Sequence, residues 1–148
     1  MKRMVIAGGT GFLGTVLSEK FMSDWEVIVL TRGDTGFRDG LLHVHWDGRT
    51  LGTWKEYIDG AEVLINLNGK SVDCRYTKKN RELIYSTRIE STRVLGKAIQ
   101  SVSRPPKVWI NAASATIYRH AEDREMDEYT GDIGKGFSVD VCQKWENE

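Results

Sequence analysis

The sequence predicts an α/β fold with a doubly wound parallel sheet. Two observations carry that expectation. Short apolar runs alternate with stretches of helical periodicity along the whole chain, and the first run is closed by a glycine cluster that opens a helix. Met4-Val5-Ile6-Ala7, Glu26 to Thr31 and Glu62 to Leu67 are apolar runs that suit buried parallel strands. Leu41 to Trp46 is a weaker strand, and Lys107 to Asn111 follows Pro105-Pro106, which stops any helix before it.

Between these runs the period changes. From Phe12 to Met22 the apolar residues Phe12, Leu13, Val16, Leu17 and Phe21 recur at helical spacing. Trp54 to Ile58 reads as a short helix. Lys78 to Gln100 reads as a long one, with Leu83, Ile84, Thr87, Val94, Leu95 and Ile99 mostly on one face. Residues 119–136 read as a polar, glycine-bearing loop, and Phe137 to Glu146 as the opening of a last helix. Right-handed crossovers about a central first strand predict the order 3-2-1-4-5.

Composition narrows the function classes. The chain has 148 residues, 40% hydrophobic and 28% charged, as in an ordinary soluble domain with a core. The formal net charge is zero, so bulk electrostatics favours neither nucleic acid nor an anionic membrane as a partner. No apolar run is long enough to span a bilayer, and the N-terminus lacks the pattern of a signal peptide. A cytoplasmic location is the expectation. Cys74 and Cys142 are far apart and read as free thiols. No Cys or His spacing points to a metal, and His43 and His45 read as strand residues.

The strongest chemistry lies in Gly8-Gly9-Thr10-Gly11-Phe12-Leu13-Gly14. Gly9, Gly11 and Gly14 satisfy the dinucleotide fingerprint, and Gly8, Gly11 and Gly14 its wider-spaced variant. In a Rossmann domain the first glycine permits the tight strand-to-helix turn. The second lets the pyrophosphate approach the backbone, and the third lets helix and strand pack closely. The helix N-terminus then offers free N–H groups to the phosphates. A strand before this loop, and a helix and a second strand after it, supply the context the motif needs. The second strand ends Leu30-Thr31-Arg32, where an NAD-selective domain carries an acid. Arg32 favours the 2′-phosphate of NADP, while Asp34 two residues on leaves NAD open.

GGTGFLG at 8–14, NLNGKSVDCRYTKKNRELIYSTRIESTRVL at 66–95, SATIY at 114–118 and KWE at 144–146 together resemble the atypical extended short-chain dehydrogenase/reductases, in the nucleoside-diphosphate-sugar epimerase-like branch. The Arg75-Tyr76-Thr77 and Ser86-Thr87-Arg88 neighbourhoods carry most of that specificity. The resemblance covers the N-terminal half of such proteins, which continue into further strands and a C-terminal substrate lobe. The expectation is one NAD(P)-binding domain over 1–148, truncated within its last helix and without that lobe.

The resemblance implies roles position by position. Thr10, Gly11, Phe12 and Leu13 would line the pyrophosphate, with Gly8 in the preceding turn and Arg32 at the adenosine phosphate. Asp47 would lie near the adenine. Asn66, Leu67, Asn68 and Gly69 would pass under the nicotinamide ribose, with Asn68 where the family usually has Ala. Arg88 either reaches the active-site floor or pairs at the surface with Glu90 or another acid. Ser114 would orient a substrate hydroxyl, with Tyr118 the nearest phenol, expected to pack over the nicotinamide pocket. His120 reads as a proton carrier or a surface histidine. The superfamily commonly dimerises through the helices at 78–100 and 137 onward, so a homodimer stays open.

Catalysis is where the sequence departs from the superfamily, which uses a Tyr with a Lys four residues later. Here Tyr57, Tyr76, Tyr85, Tyr118 and Tyr129 are followed at that distance by Ala61, Asn80, Ile89, Glu122 and Ile133. A phenol without such a Lys keeps a pKa of about 10 and is a poor base at neutral pH. Two readings stand: an NADP-dependent epimerase or oxidoreductase acting on an unknown small molecule, and a non-catalytic dinucleotide-binding module such as a redox sensor or structural protein.

Overall fold

A computed structural model describes residues 1–148. Six strands form one sheet: β1 (Lys2–Ala7), β2 (Trp25–Thr31), β3 (Gly36–Arg38), β4 (Leu41–His45), β5 (Val63–Asn66) and β6 (Val108–Asn111). Their order is β3-β4-β2-β1-β5-β6. The five strands expected from sequence are all parallel and take the expected order. The sixth, β3, was not expected. It pairs antiparallel with β4, Phe37 opposite Leu42, and is only three residues long. No sequence period identifies so short an edge strand.

The chain has three helices: α1 (Phe12–Phe21), α2 (Lys78–Ser101) and α3 (Phe137–Glu146). Thr77 caps α2, its hydroxyl accepting the Asn80 N–H at 3.2 Å. Short 3₁₀ turns occupy Thr53–Tyr57 and Ala115–Ile117. The sequence reading takes 1–148 as one domain, whereas by its contacts the chain divides into two compact units, Met1–Ala112 and Ala113–Glu148.

In the first unit the alternation of strand side chains separates two cores. Val5, Ile28, Leu30, Val44 and Leu64 pack with Val94, Leu95 and Ala98 of α2, and with Trp46, Trp54 and Ile58. Trp46 and Trp54 meet edge to face at 5.4 Å, a favoured aromatic geometry. On the other face Met4, Ile6, Val27 and Ile65 pack with Leu17 and Phe21 of α1. Full burial of side chains such as Ile28 or Leu64 contributes about 1.5–3 kcal/mol each.

Helix α1 corrects the sequence reading. Phe12, Leu13 and Val16 were placed on its apolar stripe, yet they are 82%, 59% and 47% exposed. The buried positions are Gly14 and Ser18. A Cβ on Gly14 would stand 2.3–2.5 Å from the backbone of Gly9. The helix lies so close to the strand-to-helix turn that only small residues fit between them; Phe12, Leu13 and Val16 point outward, while Leu17 and Phe21 keep their place on the core. On the far edge of the sheet Val108, Trp109 and Ile110 are also exposed.

The second unit holds the Ala115–Ile117 turn, the polar segment 119–136 and α3. Tyr118 and Ile133 form an isolated antiparallel bridge. Arg119 donates to both Asp123 and Asp132, at 2.8–3.0 Å. These bonds hold the Asp123 carboxyl at about 2, the Arg119 side-chain bonds being the main cause. A depressed carboxyl pKa stabilises the fold above the unfolded value, about 3.9, and that contribution fades as pH falls through about 2. Arg119→Gln is expected to return Asp123 toward an ordinary carboxylate pKa in a carbon-13 NMR titration. An unmoved titration would contradict the assignment.

Candidate functional site

The site is built at the carboxyl ends of β1, β2 and β5, where an open α/β sheet offers its crevice. Gly8 turns the chain out of β1 at φ +71°, a left-handed conformation that glycine adopts freely. Its close approach to the β5 loop adds a second constraint, since a Cβ there would lie 2.8 Å from the Asn68 Cα. Gly11 differs. Its backbone is extended (φ −83°, ψ 176°), and a Cβ would meet only the Gly8 carbonyl oxygen, at 3.9 Å. Nothing in the protein fills the space beside Gly11. The first bond of α1 runs from the Thr15 N–H to the Gly11 carbonyl. The N–H groups of Phe12 and Leu13 therefore have no partner within the helix and are available to an anion.

Gly8, Thr10, Gly11, Thr31, Arg32, Gly33, Trp46, Leu67, Asn68 and Gly69 line one cleft of about 390 Å³. Seven of these were read from sequence as site residues. Arg32, at the end of β2, is exposed and makes no ion pair or hydrogen bond, so its guanidinium is free to meet a ligand. Asp34 does not line the cleft, and only its backbone carbonyl is engaged, by Arg38.

The wall opposite the glycine loop is pinned by polar bonds. Asn66 is fully buried. Its amide donates to Asn111 Oδ1 at 2.6 Å and to Thr92 at 3.3 Å, and its oxygen accepts the Asn68 N–H. Asn68 donates to the Thr87 carbonyl at 3.0 Å, and the Lys70 N–H donates to the Thr87 hydroxyl at 2.9 Å. Residues 66–70 are thus fastened to α2 and β6, which pre-forms the wall without a ligand.

Several expectations change in this geometry. Asn66 was placed under the ribose, but its side chain is spent inside the protein. Asp47 was placed near the adenine, but it does not line the cleft. Its carboxylate closes a turn, accepting the Arg49 and Thr50 N–H groups and the Thr50 hydroxyl at 2.6–2.8 Å. Burial is the largest single influence and pushes its pKa up, but the Thr50 and Arg49 bonds together outweigh it and leave the carboxyl below the usual carboxylate value. Arg88 was read either at the active-site floor or paired with Glu90 or another acid. It donates to the Lys70 and Ile84 carbonyls and lies against Gly69, 3.1 Å from where a Cβ would stand. Glu90 instead contacts Arg49 at 2.7 Å. Phe12 and Leu13 turn their side chains to solvent, leaving only backbone groups for a phosphate.

Thr31, Gly33 and Trp46 are cleft residues that the sequence reading missed. Each ends or follows a strand, a position that could have singled them out. Thr87, a fastener of the wall, was read only as part of a helix face.

In the second unit Ser114 caps the Ala115–Ile117 turn. Its hydroxyl lies 2.9 Å from the Thr116 hydroxyl, which in turn lies 3.5 Å from Cys142 Sγ. The Tyr118 ring packs on Gly131 and lines a cleft with Arg119 and His120. His120 is a surface residue, 3.5 Å from Glu122.

Comparison with known proteins now identifies the family. The family model for the NAD dependent epimerase/dehydratase family matches residues 4–135. The chain belongs to this family. Among members, an epimerase family protein of Staphylococcus saprophyticus is 30% identical over 148 residues, covering 99% of this chain and 49% of that protein. One from Staphylococcus haemolyticus is 30% identical over 150 residues, covering 99% and 48%. The chain spans about half the length of the curated relatives it matches. The crystal structure of a human epimerase family protein with NADPH superposes with a TM-score of 0.80 at 26% identity, covering 98% of this chain and 48% of that one. A uronate dehydrogenase mutant from Agrobacterium tumefaciens, complexed with NAD, shares the fold with a TM-score of 0.76 at 20% identity, covering 99% and 54%. No helix of the chain is long and apolar enough to cross a membrane.

Proposed function

We propose that this epimerase-family chain binds a nicotinamide dinucleotide in the cleft beside the glycine loop, with NADP preferred over NAD. The observation that carries the reading is Arg32, unpaired on the lip of a cleft whose floor is the glycine loop. Thr10, Gly11 and the N–H groups of Phe12 and Leu13 would hold the pyrophosphate, and Arg32 the adenosine 2′-phosphate. Leu67, Asn68 and Gly69 would flank the nicotinamide ribose, with Asn66, Arg88 and Thr87 acting through that loop. The relatives whose structures contain NADPH and NAD support the ligand class. A nicotinamide dinucleotide supplies hydride-transfer chemistry when bound. Fluorescence titration tests the reading: NADPH should saturate the site, and absence of binding by both NADPH and NADH would overturn it.

Within this proposal Ser114 orients a substrate hydroxyl, and Tyr118 is the nearest phenol. Ser114→Ala is expected to leave NADPH affinity unchanged while lowering turnover. A loss beyond about fivefold in affinity, the worth of one neutral hydrogen bond, would reassign the residue to cofactor binding. The substrate is a small molecule, and a homodimer and a cytoplasmic location complete the proposal.

A second reading, a binding module without turnover, is favoured by the missing Tyr-Lys pair. On α3, Lys144 is engaged with Asp140 at 2.8 Å. The two readings part on whether bound NADPH is oxidised when a keto-sugar nucleotide is added.

A further inference from the structure

A second cleft, of about 350 Å³, lies between α1 and the strands β2 and β4. Two buried polar atoms in its wall have no hydrogen-bond partner: the hydroxyl of Ser18, a residue only 1% exposed, and Nδ1 of His43. Buried polar groups are rarely left unpaired, so an orphaned hydroxyl facing a cleft marks a place where something else supplies the bond. Glu19 and Asp39 add two carboxylates to the lining, neither of them in an ion pair or hydrogen bond. No Lys or Arg lines the cleft. Burial and the charge of Arg38 lower the His43 pKa, with Asp39 opposing, so the imidazole is neutral and one ring nitrogen is an acceptor. Met22 and Leu41 supply an apolar side.

This lining is rich in acceptors, net negative and partly apolar. No three of its His, Cys, Asp or Glu residues converge as metal ligands would. An anion is disfavoured by the two carboxylates. A neutral alcohol would bring one O–H donor to a lining that offers several acceptors. We propose that the cleft is a second ligand site, separate from the dinucleotide cleft, that takes a compact primary amine with a short apolar body. The three N–H donors of an ammonium group match the Ser18 hydroxyl, the His43 nitrogen and a carboxylate. The apolar body packs on Met22 and Leu41. Thr10 borders both clefts, but Ser18, Glu19, Asp39 and His43, the acceptors that would hold the amine, line only this one.

The test is a nitrogen-15 NMR titration of the 148-residue chain with three probes of one shape: isobutylammonium, isobutanol and isobutyrate. Isobutylammonium alone should shift the amides of Ser18, Glu19 and His43 in a saturable way. Ser18→Ala and Glu19→Gln should each weaken that response at least about fivefold. Ala is the better helix former, so Ser18→Ala is expected to fold, and its unbound spectrum checks this. Equal responses to all three probes, no saturable shift at these residues, or undiminished binding by both variants would each overturn the proposal and leave a hydrated crevice.

Discussion

Gly11→Val is expected to abolish dinucleotide binding while the protein stays folded, and Gly14→Ala to do the reverse, destabilising the fold itself. The two glycines belong to one motif but answer to different neighbours. At Gly11 the backbone is extended, in a region open to any residue, and the nearest atom to a new Cβ is 3.9 Å away. The protein loses only the helix-capping preference for glycine over valine, about 1 kcal/mol. A pyrophosphate seated on the N–H groups of the first turn would meet the new side chain, so NADPH affinity should fall at least about a hundredfold. At Gly14 a Cβ lies 2.3–2.5 Å from the Gly9 backbone, which no rotamer relieves. Ala gains about 1 kcal/mol in helix propensity, but the clash costs more, for a net loss of about 3 kcal/mol. Thermal unfolding should show a fall of about 6–12 °C for Gly14→Ala. If Gly11→Val binds NADPH normally, the cradle is misassigned. If Gly14→Ala unfolds at the wild-type temperature, the close approach of α1 is wrong.

The second large effect concerns Arg32. The wild-type chain is expected to bind NADPH at least about tenfold more tightly than NADH, and Arg32→Ala should remove that difference. A hydrogen bond to a charged group contributes about 1.5–3 kcal/mol, and the free guanidinium of Arg32 can make two to one phosphate. No acid lines the cleft to hold the ribose hydroxyls of NAD in its place. Affinity for NADH should barely change in the variant, which separates loss of phosphate recognition from loss of the fold. Raised salt should weaken NADPH more than NADH, since an exposed charge pair is screened. Equal affinities for the two cofactors in the wild type would remove Arg32 from the role.

Much of the fold was legible because its signals are local. The apolar strands and the glycine loop declare themselves over four to seven residues, and right-handed crossovers leave few orders for five parallel strands. The proline pair marks where a helix cannot continue. The three-residue edge strand β3 offered no period to read. The orientation of α1 was misread for another reason. Its hydrophobic spacing is genuine, but the helix presents Gly14 and Ser18 to the sheet because of how closely it must approach.

The site divides in the same way. Gly8, Thr10, Gly11, Arg32, Leu67, Asn68 and Gly69 were named from sequence and line one cleft. Asn66, Asp47 and Arg88 were named with them but serve the framework: a buried amide ladder, a turn and a backbone clamp. A polar side chain near a site looks the same in a sequence whether it faces ligand or protein. Which it faces depends on partners such as Asn111 and Thr87, which lie 45 and 19 residues away from Asn66 and Asn68.

By itself the sequence determined the alternation of strands and helices, the glycine loop between the first strand and helix, and the positive charge at the end of the second strand. These follow from residues adjacent in the chain and from conformational limits that act within a turn. Only the tertiary structure decided which glycine opens onto free space and which makes room for a helix, and which polar groups face the cleft. It also decided that the Ser18 hydroxyl and His43 Nδ1 are buried without partners. Such facts depend on distances between segments far apart in the chain, and close packing sets those distances only when the whole sheet assembles.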